Sequence, residues 1–441
     1  MKLLSKQAAE AISLLHSAGY EAYTVGGFVR DMIMGKESDD TDITTSATPE
    51  EIKKVFSSYR TVDTGIQHGT VTVIIDGEPM EITAYRIEEG YSDGRHPDRV
   101  SFTRNLTEDL KRRDFTVNSI AWCPEEGFVD PFGGRDDIDR KIIRCVGKAE
   151  ERFREDSLRI LRGLRFSSVL GFSIEKETAE AMRSCKELLH TVSAERVYTE
   201  LTKLICGKNV REVLVSYSDI LEVVLPEIKG MKGFDQKNFH HIYDILTHTA
   251  VVTESIPPVP HLRYAALFHD CGKTDCFSLD ENGTGHFYSH PSVSAEKTEK
   301  ALLRLKSDTS TREKAVKLVK VHDTPVEESE RIIKKRLRSM GEELFFDLIK
   351  LQRADTKGLA PEFHEREAHF DTLEEMAKNI IEGQQCFSLK DLKINGNDLI
   401  RAGFAGKEIG TALSAALEAV IDGKAENENS ALISFCLGIK E

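Results

Sequence analysis

A chain of 441 residues can bury a large core and is long enough for about three domains. With 40% hydrophobic and 30% charged residues it is neither disordered nor fibrous, and no apolar run reaches the roughly 18 residues of a membrane-spanning helix. A net charge of −14 argues against indiscriminate coating of nucleic acid, and eight scattered cysteines without a C-x-x-C pair exclude a disulfide framework and fit a reducing cytoplasm.

The N-terminal stretch MKLLSKQAAEAISLLHSAGY lacks a signal-peptide pattern and spaces its apolar residues as an amphipathic helix. A short strand, Tyr23-Thr24-Val25, leads into the glycine pair Gly26-Gly27, with Arg30 and Asp31 at helical spacing behind it. Such a turn before a helix lets backbone N–H groups approach a phosphate. Asp40 and Asp42 follow on a second strand candidate. Strand residues two apart share a face, so the two carboxylates project together and call for a cation between them. Hard oxygen ligands of this kind suit magnesium held jointly by carboxylates and substrate phosphates.

Thr48, Pro49 and Glu51 read as the capped start of a helix. Residues 69–75 form a strand, Asp76-Gly77 a turn and Met80 to Arg86 its partner, which indicates a small mixed sheet with helices beside it. Glu81 reads equally as a third metal-site carboxylate or as a sheet-surface residue. Residues 88–103 are polar and turn-rich. Lys111 to Asn118 then offers Arg113 as a phosphate-binding cation, with Asp114 and Asn118 able to hydrogen-bond ribose hydroxyls.

Arg152 to Phe166 reads as one helix on which Asp156, Arg159, Arg162 and Arg165 recur every third residue, drifting only about 60° per step. Cytosine and adenine each present an amine donor beside a ring-nitrogen acceptor. An aspartate accepts from the first and an arginine donates to the second. Uracil and guanine reverse that pattern, at roughly 1–3 kcal/mol for each mismatched buried group. Residues 135–165 carry ten basic and seven acidic side chains, and 331–340 carry five basic and no acidic ones; such runs read as a solvated helix face or, given the motifs around them, as local tracks for RNA.

Alternating helices follow over 174–188, 193–205, 210–216 and 219–224. Eight of the fourteen histidines then fall between 240 and 323, among them His248, His269-Asp270 within L-F-H-D-C-G-K, His290 and His322-Asp323. The tail from about 345 is helical, with glycines at 403, 406 and 410 that read as a phosphate-approaching turn or as a tight helix–helix turn.

These motifs, in this order, resemble the class II CCA-adding tRNA nucleotidyltransferases of bacteria and their poly(A) polymerase relatives. The resemblance implies an α+β fold, with an N-terminal nucleotidyltransferase domain of small mixed sheet and helices followed by all-helical neck, HD and C-terminal domains. The expected boundaries are 1–147, 148–235, 236–345 and 346–441. It implies Mg2+ held by Asp40 and Asp42, with Glu81 as a candidate third catalytic carboxylate. The triphosphate and sugar fall to Gly27, Arg30, Arg113, Asp114 and Asn118. Asp156 and Arg159 become the readers of the base, and Arg162 and Arg165 further nucleotide contacts. Residues 88–103 match the flexible loop of enzymes that complete the whole CCA end. The histidine region resembles the HD phosphohydrolases, which implies a divalent metal on His248, His269, Asp270 and Asp323, with His290 as an extra ligand.

The implied activity is untemplated addition of C, C and A to the 3′ end of tRNA from CTP and ATP, in the cytoplasm, without a membrane partner. One alternative is a poly(A) polymerase or A-adding enzyme. The basic stretch expected of poly(A) polymerases is not matched by Asp63-Thr64-Gly65-Ile66-Gln67-His68-Gly69. The other is a metal-dependent HD phosphohydrolase whose N-terminal half only binds RNA.

Overall fold

The computed structural model describes residues 4–37, 41–66, 69–91, 97–238, 242–360 and 367–439. The chain divides into two compact units, Met1–Pro226 and Glu227–Glu441.

The first unit opens with α1 (Lys6–Ser17), capped by the Ser5 hydroxyl, which accepts from the Ala8 amide. β1 (Ala22–Val25), α2 (Gly27–Ile33), β2 (Asp42–Thr45) and α3 (Pro49–Val55) follow. α3 starts where the sequence places it: Thr48 and Glu51 form a reciprocal capping box and Pro49 occupies the first turn. β3 (Arg60–Gly65), β4 (Thr70–Ile75) and β5 (Glu78–Ala84) complete one side of the sheet. The β4–β5 hairpin turns at Asp76 and Gly77, both at positive φ, as a two-residue turn matched to strand twist requires. With β8 (Ala121–Cys123) and β9 (Gly127–Val129) the sheet has seven strands in the order β3-β4-β5-β2-β1-β8-β9. β2 and β5 run parallel and the other neighbours antiparallel. β4 alternates half-buried and buried residues, and its inward Val71, Val73 and Ile75 pack with Ile12, Leu15, Ile43 and Phe56 in the core.

The polar stretch 88–103 is more regular than its composition implies. β6 (Arg86–Glu89) and β7 (Arg99–Phe102) pair antiparallel over four residues each. The tip, 92–96, lies outside the described residues. α4 (Leu106–Lys111) and α5 (Gly134–Arg140) flank the sheet.

The single helix expected over 152–166 is two. α6 (Ala149–Glu155) stops at Asp156, whose backbone is extended, and α7 (Leu158–Leu170) begins after Ser157. The Asp156 carboxylate accepts from the Leu158 amide. Asp-Ser supplies local hydrogen bonds that compete with helical ones, so the break follows from side-chain chemistry that apolar periodicity does not register. α8 (Lys176–Cys185), α9 (Ala194–Ile205), α10 (Val210–Ser216) and α11 (Ser218–Val224) complete the unit within a few residues of expectation.

The second unit is helical apart from one two-stranded pair: α12 (Ile245–Ser255), α13 (Pro260–Phe268), α14 (Lys273–Cys276), α15 (His290–Arg304), α16 (Thr309–Val321), α17 (Glu330–Met340), α18 (Glu342–Lys357) and α19 (Glu367–Glu382). α20 (Gly396–Arg401), α21 (Lys407–Ile421) and α22 (Asn429–Gly438) enclose a core of their own around Leu399, Leu417, Leu432 and Cys436. Gly403 and Gly406, both at positive φ, form the link between α20 and α21. The basic run 331–340 is largely α17, where Arg331 and Lys335 are paired with Asp422 of α21. Among the described residues no helix is long and apolar enough to cross a membrane.

Candidate active site

A cavity of about 450 Å³ in the first unit gathers Gly26, Gly27, Arg30 and Asp42 with Arg113, Asp114, Asn118, Asp156, Arg159, Arg162 and Arg165. Residues separated by more than 130 positions thus share one space. β1 delivers Gly26, at φ 75° and ψ −133°, a backbone state essentially restricted to glycine. A side chain there would point its Cβ to 3.3 Å from Arg113 Nη1 and 3.9 Å from Asp42 Oδ2. The glycine keeps the space between a carboxylate and a guanidinium open. Asp42, exposed at the first position of β2, pairs in register with Val25 of β1.

Behind the glycine turn, Arg30 is clamped by the carboxylate of Asp31 at 3.0 Å and donates to Asn118 Oδ1 at 2.7 Å. Asn118 donates to Asp114 Oδ1, and Arg162 holds Asp114 Oδ2 from Nε at 2.7 Å and Nη2 at 2.6 Å. Burial pushes the Asp114 carboxyl up, but the Arg162 guanidinium prevails and holds it at about 2. Arg113 is half-buried near Asp109, and its buried Nε has no hydrogen-bond partner among the described residues. An orphaned guanidinium N–H beside Asp42 fits an anion that arrives with a cation, as a metal–triphosphate does.

Asp156 and Arg159, the residues expected to read the base, are both engaged by the protein. Asp156 Oδ2 accepts from Arg196 at 2.8 Å, and Arg159 binds Glu155 at 2.7 Å and the Arg112 carbonyl at 3.0 Å. Arg165 pairs with Glu200, and the guanidiniums of Arg30, Arg162 and Arg165 sit 5.4, 5.5 and 4.1 Å from the Phe166 ring. Arg196 and Phe166 escaped the sequence reading as site residues. Arg196 lies at the start of α9 in an ordinary amphipathic pattern, and only the packing of α9 on α7 brings it to Asp156. Of the arginines over Phe166, only Arg162, four residues before it on α7, was a signal in the sequence; Arg30 reaches the ring by packing alone. Asp40 lies outside the described residues. Glu81 is exposed on β5, next to Ile82, which pairs with Ile43, so Glu81 continues the register beside Asp42. It does not line the cavity.

The second unit holds a separate cluster. His248, His269 and Asp270 converge, as do Asp270, His290 and His322, and all five are buried. The expected fourth ligand, Asp323, is a correction. It is exposed, on the rim of a neighbouring pocket. His322 is the C-cap of α16, and the next residue is rotated about 100° away, so one faces inward and the other out. The carboxylate that joins the cluster is Asp355 of α18, 2.9 Å from His248 Nε2 and 3.4 Å from His269 Nε2. Nothing in the pattern of α18 distinguishes it from a surface helix. Burial works against charge on His269, yet the carboxylates of Asp270 and Asp355 beside it raise it to about 10.

Comparison with known proteins finds similar domains and relatives. The model described as the poly A polymerase head domain matches residues 22–144, and the one described as tRNA nucleotidyltransferase domain 2 matches residues 286–436. The CCA-adding enzyme of Lactobacillus delbrueckii is 47% identical over 228 residues, 52% of this chain and 56% of its relative. That of Streptococcus pyogenes is 50% identical over 217 residues, 48% and 54% of the two chains. The matches span about half the length of these curated relatives. Among solved structures, the Bacillus stearothermophilus CCA-adding enzyme in complex with CTP aligns over 99% of this chain and 97% of its own, with TM-score 0.72 and 29% identity. The Thermotoga maritima CCA-adding enzyme complexed with tRNA shares the fold at TM-score 0.63, over 100% of this chain and 98% of its own at 20% identity. Residues 22–144 and 286–436 are thus similar to the poly A polymerase head domain and to tRNA nucleotidyltransferase domain 2, and the matched relatives are CCA-adding enzymes.

Proposed function

We propose that the chain adds C, C and A to the 3′ end of tRNA from CTP and ATP without a nucleic-acid template. The observation that carries this reading is the shared cavity: Asp42 and the glycine turn on one side, Asp156, Arg159 and Arg162 on the other. A nucleotide that fills it has its triphosphate beside Arg113 and its base at the break between α6 and α7. The named relatives are CCA-adding enzymes, one of them solved with CTP and another with tRNA.

Arg30 and Arg113 neutralise the triphosphate, and Asp114 and Asn118 meet the ribose. Arg196 and Glu155 hold the Asp156 carboxylate and Arg159 guanidinium in place until a cytosine or adenine edge takes over those bonds. Asp42, with Glu81 in register beside it, and Asp40 two residues earlier in the sequence supply carboxylate oxygens, the donor type suited to Mg2+. When bound, magnesium supplies the charge that lowers the pKa of the attacking 3′-hydroxyl and neutralises the pyrophosphate. In domain terms we take 1–147 as the catalytic head, 148–235 as the neck, 236–345 as the HD region and 346–441 as a tRNA-body contact.

The deciding experiment incubates the chain with tRNA lacking its CCA end and each NTP, then sequences the added ends. The expected product is CCA from CTP with ATP. A long A-tail indicates a poly(A) polymerase, and addition only to a tRNA that already ends in CC indicates an A-adding enzyme.

A second activity is supported by the buried cluster. We infer that His248, His269, Asp270 and Asp355 hold a divalent cation, which when bound supplies an activated water for phosphoester hydrolysis.

A further inference from the structure

We propose that Asp109, on α4, is the positioning residue that fixes the span between the triphosphate contact and the base contact of the nucleotide. The inference rests on the reading of the first unit's cavity as a nucleotide site. Asp109 is fully buried and does not line that cavity. Its two oxygens tie α4 to β2, to β6 and to the arginine pair that follows the helix. Oδ1 accepts from Arg112 Nε at 3.0 Å and Nη2 at 2.8 Å, and from the Arg86 amide at 3.3 Å. Oδ2 accepts from Thr44 Oγ1 at 3.3 Å and lies 3.5 Å from Arg113 Nη2.

Three of these partners lead to three parts of the nucleotide. Thr44 stands two residues after Asp42 on β2 and shares its face. Arg113 is the cation set beside the triphosphate. Arg112 leads to the base, because its carbonyl accepts from Arg159 Nη2 at 3.0 Å. One carboxylate therefore references the metal-side acid, the phosphate cation and the base reader to each other. A site that must meet a base and a triphosphate at once needs that span fixed before the nucleotide enters.

The balance of charge argues the same way. Glu88 pairs with Arg86 at 2.7 Å and with Arg112 at 3.2 Å. Asp109 and Glu88 thus offset Arg86 and Arg112, and the charge of Arg113 remains for the cavity that it lines. Burial opposes charge on Asp109, yet Arg112 and Arg113 hold its carboxyl below the ordinary carboxylate range. Its grip on the two arginines is unequal. Arg112 is bound through two nitrogens, whereas the 3.5 Å approach to Arg113 leaves the Arg113 Nε unbonded. Arg113 is oriented by Asp109 but keeps a donor for an incoming anion.

The test titrates the full chain with CTP, UTP and CMP by calorimetry in the presence of Mg2+, and compares it with Asp109→Asn and Arg112→Lys. The unaltered chain should bind CTP more tightly than UTP, through the base, and more tightly than CMP, through the triphosphate. Asp109→Asn keeps the shape and removes the charge, so both preferences should fall about tenfold, the size of one lost hydrogen bond to a charged group. Arg112→Lys keeps the charge and loses the two-nitrogen grip. It should lower the preference for CTP over UTP and leave that for CTP over CMP in place. A merely structural role would reduce the number of binding-competent chains, read as the stoichiometry, and leave both ratios of Kd unchanged. Unchanged ratios in Asp109→Asn overturn the positioning role while the nucleotide reading stands. Should that variant not fold, an unchanged preference for CTP over UTP in Arg112→Lys overturns it instead. An unaltered chain that binds CTP no better than UTP or CMP overturns the nucleotide reading itself.

Discussion

In the proposed function Arg159 is the side chain that carries selectivity. It is 9% exposed and held by Glu155, so its position is set before any nucleotide arrives. Loss of one buried hydrogen bond costs about 1–3 kcal/mol, and Arg159→Ala should therefore narrow the preference for CTP and ATP over UTP by about 5- to 150-fold in kcat/KM. Unchanged selectivity would remove the base-reading role. Asp42 tests the division of labour between the two sites. Asp42→Ala should abolish nucleotide addition, whereas His269→Ala, in the other unit, should leave it intact in the same assay. If Asp42→Ala kept full transfer activity, the glycine–aspartate turn would not be the catalytic centre.

Asp114 couples the same site to pH. Its folded value, about 2, lies below the ordinary carboxylate value near 4, so the native state binds fewer protons than the unfolded one in that interval. Its contribution, about 2 kcal/mol, is complete above roughly pH 4 and is lost as pH falls toward 2. Urea unfolding at pH 5 and pH 3 should show a steeper acid loss in the native protein than in Asp114→Asn. Parallel curves would mean that the Arg162 pair does not set the acid limit.

At the scale of the element, α7 must do two things: aim arginines into the cavity and pack tightly against the sheet domain. Gly163 reconciles them. A Cβ there would fall 2.2 Å from Met182 Cε and 2.9 Å from Phe115 Cζ, with the ring already in edge contact with Phe166. The methionine tip can move, but the buried Phe115 ring cannot. Gly163→Ala should thus destabilise the first unit by about 1–3 kcal/mol through overpacking, although alanine is the better helix former. A raised melting temperature would show that propensity outweighs the clash. The break at Asp156 belongs to this scale too. An unbroken helix would have carried that carboxylate on the same stripe as the arginines; the extended residue instead sends it to Arg196 on α9.

At the scale of the whole molecule, the nucleotide cavity and the histidine cluster lie in different compact units. A ligand binding only the native state stabilises the unit it occupies, by about 2.7 kcal/mol at a hundredfold excess over Kd. For a domain of this size that is a shift of about 5–10 °C. Calorimetry with CTP should raise the transition of Met1–Pro226 and leave that of Glu227–Glu441 in place. Equal shifts in both would show that the units unfold together.

What could be read without coordinates was whatever depends on neighbours along the chain. The strand before Gly26, the Thr48 capping box, the Asp76-Gly77 hairpin and the neck helices were legible because caps, turns and periodicities act over a few residues. The candidate nucleotide residues were legible because they come in short motifs. Tertiary structure alone decided which groups satisfy one another across long loops. Asp156 meets Arg196 forty residues away, and the histidine cluster closes on Asp355 rather than Asp323, 107 residues from His248. A buried charge is stabilised by whatever partner packing delivers, and sequence separation carries almost no information about that. A histidine next to an aspartate, as at His322-Asp323, cannot show from the string alone that a helix end turns one inward and the other to water.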